Sequence, residues 1–314
     1  MIYDGIPDVG ERISRLVLGS VVFAPERQDL VKAMLDAFIA AGGNAVDTAN
    51  GYGRGASETA LGTWLAQSDR RADLVIISKG AHHATDGTHR VTPEDITQDL
   101  LESLRRLRLD TIDLYLLHRD NPALPVGPIV ECLNEHAAAG RIRAFGGSNW
   151  SPQRIEEANA YAKAQGIRGF VASSPNLALA VPSEPMWPNC VSVAGDSSAL
   201  AWYRQHQFPL LAWSSQASGF FSGRFTPDDL SDPNVVRVYY RDDNWERLRR
   251  ARETAVRHNC TPTQVALAWV LHQPVKVFAL VGPRTLPELQ DCLGALEVRL
   301  SPEEVAWLNL EDLR

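Results

Sequence analysis

Four residues stand where apolar runs give way to turns: Asp47 after Ala45-Val46, Tyr52 within Ala49-Asn50-Gly51-Tyr52-Gly53, Lys79 after Ile77-Ser78, and His118 after Leu116-Leu117. A carboxylate, a phenol, an ammonium and an imidazole brought to one place can manage a proton at an oxygen atom. A phenol, with an unperturbed pKa of about 10, is a weak acid at neutral pH unless a nearby cation favours its anion. Lys79 can be that cation. Asp47 can hold Lys79 charged and in place where it is desolvated, and His118 can orient a carbonyl oxygen. The set contains no Ser-His-Asp arrangement, metal cluster or evident nucleophile, so it suits protonation while another agent supplies the other half of the reaction. Hydride from a nicotinamide is the natural complement.

These four must be held by elements that bring distant stretches of chain together. Short apolar runs predict eight strands, at 13–19, 44–47, 74–78, 112–117, 144–147, 170–173, 209–213 and 277–281. Amphipathic stretches lie between them, such as Ile96, Leu100, Leu101, Leu104 and Leu107, whose spacing places one apolar stripe on a helix. Thr92-Pro93, Ser151-Pro152, Thr261-Pro262 and Ser301-Pro302 each offer a hydroxyl N-cap followed by proline, and Gln264 and Glu304 complete capping boxes. Alternating strands and helices predict an α/β fold with a parallel sheet, and eight such units predict a closed (β/α)8 TIM barrel. No Gly-x-Gly-x-x-Gly follows the first strand, which argues against an open dinucleotide-binding sheet. With no linker composition anywhere, residues 1–314 read as a single domain. Two long connections, 177–195 and 219–244, should rise on the C-terminal face, where barrel sites are built.

The chain's 314 residues are 45% hydrophobic and 22% charged, enough to bury a large core. The net charge of −7, with acids and bases interspersed, argues against a nucleic-acid partner. The first residues lack a signal-peptide pattern and no apolar run is long enough for a bilayer, so a cytoplasmic protein without a membrane partner is expected. The four cysteines, Cys132, Cys190, Cys260 and Cys292, are far apart and read as reduced structural thiols. His82, His83 and His89 lack carboxylate or Cys partners at metal-ligand spacing; they read as solvated loop histidines and no metal is expected. Arg105-Arg106 and Arg249-Arg250 read as wet helix faces.

From Arg15-Leu16-Val17-Leu18-Gly19 to the last helix, the chain resembles the aldo-keto reductase superfamily. The motifs are Val46-Asp47-Thr48-Ala49-Asn50-Gly51-Tyr52-Gly53, Ser57-Glu58, Ile77-Ser78-Lys79, Asp113-Leu114-Tyr115-Leu116-Leu117-His118 and Gly146-Gly147-Ser148-Asn149. The resemblance implies that Tyr52 is a general acid, that Lys79 and Asp47 lower its pKa, and that His118 positions a carbonyl. It also implies a nicotinamide dinucleotide across the barrel mouth. Ser148 and Asn149 would meet the carboxamide, with Ser174 where relatives carry Gln. Trp213 would stack on the nicotinamide, and the loop Ser214 to Arg224, with Gln216, Gly219 and Arg224, would wrap the pyrophosphate. Gly282 and Arg284 match the turn that meets an adenosine 2′-phosphate. Glu288 opposes that phosphate, and Asp291 and Cys292 lie where relatives contact adenine. NADP(H) is therefore the expected cofactor and NAD(H) the second choice.

Phe23, Trp150 and Trp187, with Tyr239, Tyr240 and Trp245 as further candidates, read as an aromatic wall, and Asp120, beside Arg119 and Asn121, adds polarity. Such a wall suits a sugar or polyol, pointing to carbohydrate metabolism. The expected activity is reduction, or reversible oxidation, of a small-molecule carbonyl. A nicotinamide-binding sensor with little turnover is the alternative, and a carboxylate-pair hydrolase or lyase is disfavoured for lack of an acid pair.

Overall fold

The computed structural model describes residues 1–311, so the last three positions of the expected domain lie outside it. Eight parallel strands close into a barrel: β3 (Leu16–Gly19), β4 (Ala45–Asp47), β5 (Val75–Gly80), β6 (Ile112–Leu117), β7 (Ile142–Ser148), β8 (Ser173–Ser174), β9 (Leu210–Ala212) and β10 (Val277–Val281), with β10 paired back onto β3. Helices α1 (Gln28–Ala40), α2 (Ala56–Gln67), α3 (Pro93–Leu107), α4 (Val126–Ala138), α5 (Pro152–Gln165) and α6 (Ser197–His206) connect successive strands through β9. Helices α7 (Pro233–Tyr239), α8 (Asp242–His258) and α9 (Pro262–Leu271) lie between β9 and β10, and α10 (Leu286–Gly294) and α11 (Pro302–Leu308) follow. This is the (β/α)8 architecture that the alternation of strands and helices predicts.

The helix starts are local chemistry. Thr92, Thr261 and Ser301 each accept from the third helical N–H in a capping box, and Ser151 caps α5 through the N–H of Arg154. The strands obey the two-residue period of extended chain. Val17, Ala45, Ile77, Leu114, Leu116, Ala144, Ala172, Leu211, Phe278 and Leu280 fill the barrel interior, while alternate residues such as Tyr115, Leu117, Val277 and Ala279 pack outward under the helices.

The first and sixth strands differ from expectation. The run 13–19 is divided: residues up to Ser14 finish an antiparallel hairpin of β1 (Tyr3–Ile6) and β2 (Gly10–Ser14), and only Leu16 onward enters the barrel. Asn44 Oδ1 takes the Ser14 N–H at 2.7 Å and the Ser14 hydroxyl donates to Leu16 O at 2.8 Å, which turns the chain between the two strands. Ile6, Val9 and Ile13 of this hairpin join the interior cluster and plug the N-terminal end of the barrel. The sixth strand is Ser173–Ser174 instead of 170–173, with the Phe170 N–H taken by Asn159 Oδ1 at 2.6 Å and the Val171 N–H by Phe145 O at 3.0 Å. Among the described residues no helix is long and apolar enough to cross a membrane.

Because the plug closes the end opposite the strand C-termini, Ile13→Ala should cost ~3 kcal/mol of unfolding free energy, while the folded variant keeps its cofactor affinity. Urea unfolding and cofactor titration of the same sample check both halves.

Candidate active site

The interior rows of the barrel end in the polar residues that the sequence singles out. Ala45 leads by two residues to Asp47, Ile77 to Lys79, Leu116 to His118, Ala172 to Ser174 and Leu211 to Trp213. One more step of the strand period past the apolar layer thus sets these side chains facing one another at the C-terminal mouth. Lys79 and Asp47 are almost fully buried and form an ion pair, with Lys79 Nζ donating to Asp47 Oδ1. The same ammonium donates to Thr48 O at 3.1 Å and to the Tyr52 hydroxyl at 3.3 Å. The Tyr52 and His118 rings meet edge to face at 5.8 Å.

Tyr52 lies off the strands, on a turn that the structure holds from behind. Asn50 N–H donates to Lys79 O at 2.8 Å, and Arg106 donates to Asn50 O at 3.1 Å. Arg106 also pairs with the fully buried Glu58 at 3.3 Å and with Glu102 at 2.9 Å, and Glu58 accepts the Ser78 hydroxyl at 2.7 Å. Arg106 is therefore a brace for the Tyr52 turn and not the wet helix face expected of it; Arg250, whose guanidinium lies over Trp307 at 3.8 Å, likewise departs from that expectation. After Lys79 the chain can pass only as glycine, since a Cβ on Gly80 would fall 1.9 Å from the Tyr115 hydroxyl.

Burial sets the electrostatics. Desolvation disfavours the Lys79 ammonium, but Asp47 and Tyr52 together hold it above its ordinary pKa, so it is charged. Desolvation raises Asp47, against the pull of Lys79. The hydroxyl of Tyr52 is also raised by burial, with Lys79 pulling down and Asp47 pushing up. The resemblance implies a lowered Tyr52; here desolvation outweighs the ammonium, and Asp47 works against it. His118 is held well below its usual value by burial first and then by Lys79 and Arg119, so its imidazole is neutral, and its Nδ1 is buried without a hydrogen-bond partner.

The remaining expected residues divide. Asn149 (φ 61°) follows β7 in the left-handed region; its amide donates to His118 O at 3.1 Å and its Oδ1 accepts Val191 N–H at 3.1 Å. Ser148 Oγ donates to Ser174 O at 2.9 Å, and the Ser174 hydroxyl itself donates to Leu211 O at 2.8 Å. Trp213 remains partly open at the mouth with Nε1 lacking a partner, and Trp187, half exposed, lies 5.6 Å from it ring to ring. Of the expected aromatic wall, Phe23 and Trp150 are instead core residues. Phe23 is 2% exposed, and Trp150 is 1% exposed, packed on Phe170 with its indole N–H donating to Arg119 O at 3.2 Å. Tyr240 and Trp245 pack with Phe220 behind the loop, and Tyr239 is buried. Asp120 does not face the mouth freely either: it is buried in an ion pair with Arg154 at 3.2 Å. The loop histidines are not simply solvated, because His82 meets the His118 ring at 4.8 Å and His83 is within 3.2 Å of His89. His82 carries no sequence signal beyond its place three residues after Lys79.

Beyond β9, Ser214, Ala217, Ser218 and Gly219 all have positive φ. Such a run curves the loop into a concave cradle, in which Ala217 N–H is already taken by Ser214 O at 2.8 Å and Gly219 N–H by Gln216 O at 3.0 Å. Arg224 closes it, donating to Ser218 O at 2.9 Å, and a Cβ on Gly219 would crowd that guanidinium at 2.9 Å. Gln216 accepts the Cys292 thiol at 3.4 Å, and Cys292 is buried, so it sits in the core instead of at a ligand. At the far rim Arg284 is exposed, and Glu288 Oε2 accepts the backbone N–H of Arg284 at 2.6 Å; Asp291 accepts the Thr261 hydroxyl at 2.9 Å.

Residues 15–309 match the family model described as "Aldo/keto reductase family". The chain belongs to the aldo/keto reductase family. Relatives include an aldo-keto reductase named yakc [NADP(+)] of Schizosaccharomyces pombe, 27% identical with 96% of this chain and 87% of that protein covered. A norsolorinic acid reductase B of Dothistroma septosporum is 27% identical, covering 95% and 78%. The crystal structure of a thermostable aldo-keto reductase, Tm1743, in complex with the inhibitor epalrestat superimposes with a TM-score of 0.75 at 26% identity, covering 99% of both chains. This aldo/keto reductase is accordingly an NAD(P)-dependent oxidoreductase acting on carbonyl compounds. The left-handed cradle after β9, the open face of Trp213 and the basic side chains Arg224 and Arg284 fit such a dinucleotide.

The neutral, buried His118 has a consequence for stability. Its folded pKa is depressed, so it contributes stability above its unfolded value of 6.5 and loses it as pH falls. Thermal melts should therefore drop in Tm as pH falls below 6.5, and His118→Asn should flatten that slope.

Proposed function

We propose that this chain reduces an aldehyde or ketone to the alcohol, with Tyr52 as the proton donor. The observation that carries the reading is the Lys79 ammonium, bonded at once to Asp47, Thr48 O and the Tyr52 hydroxyl. When bound, the reduced nicotinamide supplies hydride to the carbonyl carbon. Tyr52, kept protonated by burial, gives its proton to the oxygen as the C=O π bond breaks. Lys79 then faces the phenolate left behind, and water restores the proton. His118, neutral and with Nδ1 free of protein partners, orients the carbonyl oxygen.

For the cofactor, Ser148 and Asn149 would meet the carboxamide, Trp213 would stack on the ring, and the Ser214 to Arg224 loop, with Gln216 and Gly219, would hold the pyrophosphate. The Ser174 proton goes to Leu211, so we assign it at most its acceptor lone pairs. Arg284 at the exposed rim of Gly282 favours NADP(H), and the name of the Schizosaccharomyces pombe relative carries NADP(+). Glu288 caps the Arg284 N–H and places a carboxylate where a 2′-phosphate would sit, which narrows the margin over NAD(H). Trp187 beside Trp213 offers a flat apolar face, so sugar carbonyls belong in the substrate panel.

Tyr52→Phe should lower kcat by at least about a thousandfold for every carbonyl substrate while leaving quenching of tryptophan fluorescence by NADPH unchanged. A variant that keeps most of its turnover refutes the acid assignment; slow turnover in the wild type despite tight cofactor binding favours a sensor. Glu288→Gln should raise the ratio of NADPH to NADH affinity about fivefold or more, read by parallel titrations.

A further inference from the structure

Arg119 follows His118 directly, and only 5% of its surface is exposed. A buried guanidinium is ordinarily matched by a carboxylate, because removing its hydration without one is costly. Among the described residues, no carboxylate lies within ion-pair distance of it. The acids nearby in sequence and space are committed elsewhere: Asp47 to Lys79, Asp120 to Arg154 at 3.2 Å and Asp99 to Arg90 at 2.7 Å. Arg119 makes one hydrogen bond, from Nη1 to His118 O at 2.8 Å, and its Nε is buried with no partner.

The surroundings add no negative charge. Arg119 lies within electrostatic range of Tyr52, His118, His82, His83 and Cys190. Burial holds the phenol and the thiol up and the three imidazoles down, which leaves all five neutral near pH 7. With Lys79 neutralised by Asp47, the mouth keeps one uncompensated positive charge beside the reacting centre. The bond to His118 O also fixes which edge of the guanidinium is used. Nε and Nη2 remain as the side-on pair of parallel donors, the edge that matches the two oxygens of a planar carboxylate.

We infer that Arg119 is a substrate-binding residue whose side-on edge receives a carboxylate carried by the carbonyl substrate, so that the preferred substrates are oxo acids. This rests on the carbonyl-reduction reading and narrows its substrate class. Arg119 acts on binding: the anion is held alike before and during hydride transfer, so its effect falls on KM more than on kcat.

The test compares glyoxylate, phenylglyoxylate and levulinate with their methyl esters, in the wild type, Arg119→Met and Arg119→Lys, with benzylphosphonate and benzoate as non-reducible probes read by tryptophan fluorescence. At least one acid should exceed its ester about tenfold or more in kcat/KM, through KM. That acid-to-ester ratio should fall at least about tenfold in Arg119→Met and be partly kept in Arg119→Lys. The wild-type ratio does not depend on whether a variant folds: if every ester matches or beats its acid, the inference is overturned. It is overturned too if the acid preference survives in folded Arg119→Met, or if benzylphosphonate binds more tightly than benzoate. Should no acid or ester be reduced while benzoate binds the wild type and not Arg119→Met, the anion site stands and the reduction reading fails. Absence of both turnover and benzoate binding overturns both.

Discussion

The buried pair of Lys79 and Asp47 is the constraint around which the mouth of this barrel is arranged. An ammonium this deep is tolerated only because a carboxylate, a carbonyl oxygen and a phenol surround it. Taking away one partner of such a pair typically costs ~3–5 kcal/mol, because the survivor is left charged and dry. Neighbouring elements are shaped to keep the geometry: Arg106 and Glu58 brace the turn carrying Tyr52, and Gly80 lets the strand leave Lys79 without striking Tyr115. The same burial decides the protonation states. Phenol and imidazole are kept neutral, and the ammonium keeps its charge only because the carboxylate faces it.

What brings the pair together is strand parity. A closed parallel barrel admits one set of alternate residues to its interior, and in this chain that set is apolar for two layers and then turns polar. Asp47, Lys79, His118, Ser148, Ser174 and Trp213 all belong to it. Shifting any strand by one residue would send its polar terminus outward under the helices, so the apolar packing of Ile77, Leu114, Leu116 and Phe278 also fixes the register of the site. The N-terminal hairpin has a matching task at the other end, where Ile6, Val9 and Ile13 cover the interior layer that would otherwise meet water.

Much of this was legible in residues alone, and the reason is locality. Hydroxyl-proline pairs mark helix starts because a cap acts on an N–H three residues away, and all four are caps in the structure. Strand ends were legible through the parity of their apolar residues. Burial by distant chain was not. Phe23 and Trp150 have the residue types of a substrate wall, but whether an indole faces a mouth or Phe170 depends on how α5 and β8 pack. Asp120 reads as mouth polarity until Arg154 is seen within 3.2 Å, and Arg106 reads as solvated until Glu58 is. The hairpin was not legible because Ile13, the one large apolar residue of β2, stands only three positions before Leu16 of β3, and the break between them is made by hydrogen bonds from Ser14 N–H to Asn44 and from the Ser14 hydroxyl to Leu16 O.

The backbone at the mouth carries a complementary signature. Arg54, Ala81, Asn149, Ser214, Ala217 and Ser218 all adopt positive φ without being glycine. For residues with a Cβ this conformation costs of order ~1 kcal/mol or more each, and it persists only where surrounding contacts over-determine it. Here the contacts are identifiable: Ala81 N–H is taken by Asp99, Asn149 is tied to His118 O and Val191, and Ser218 O is held by Arg224. Each strained residue lies just past the strand that supplies a site side chain, or in the turn that carries Tyr52. The regular barrel fixes where the strands end, and at the mouth the strain falls in the loops that must then depart abruptly. Stability is thus concentrated in the apolar layers and the plugged end, leaving the opposite rim free to hold buried charge, unpaired donors and a concave backbone.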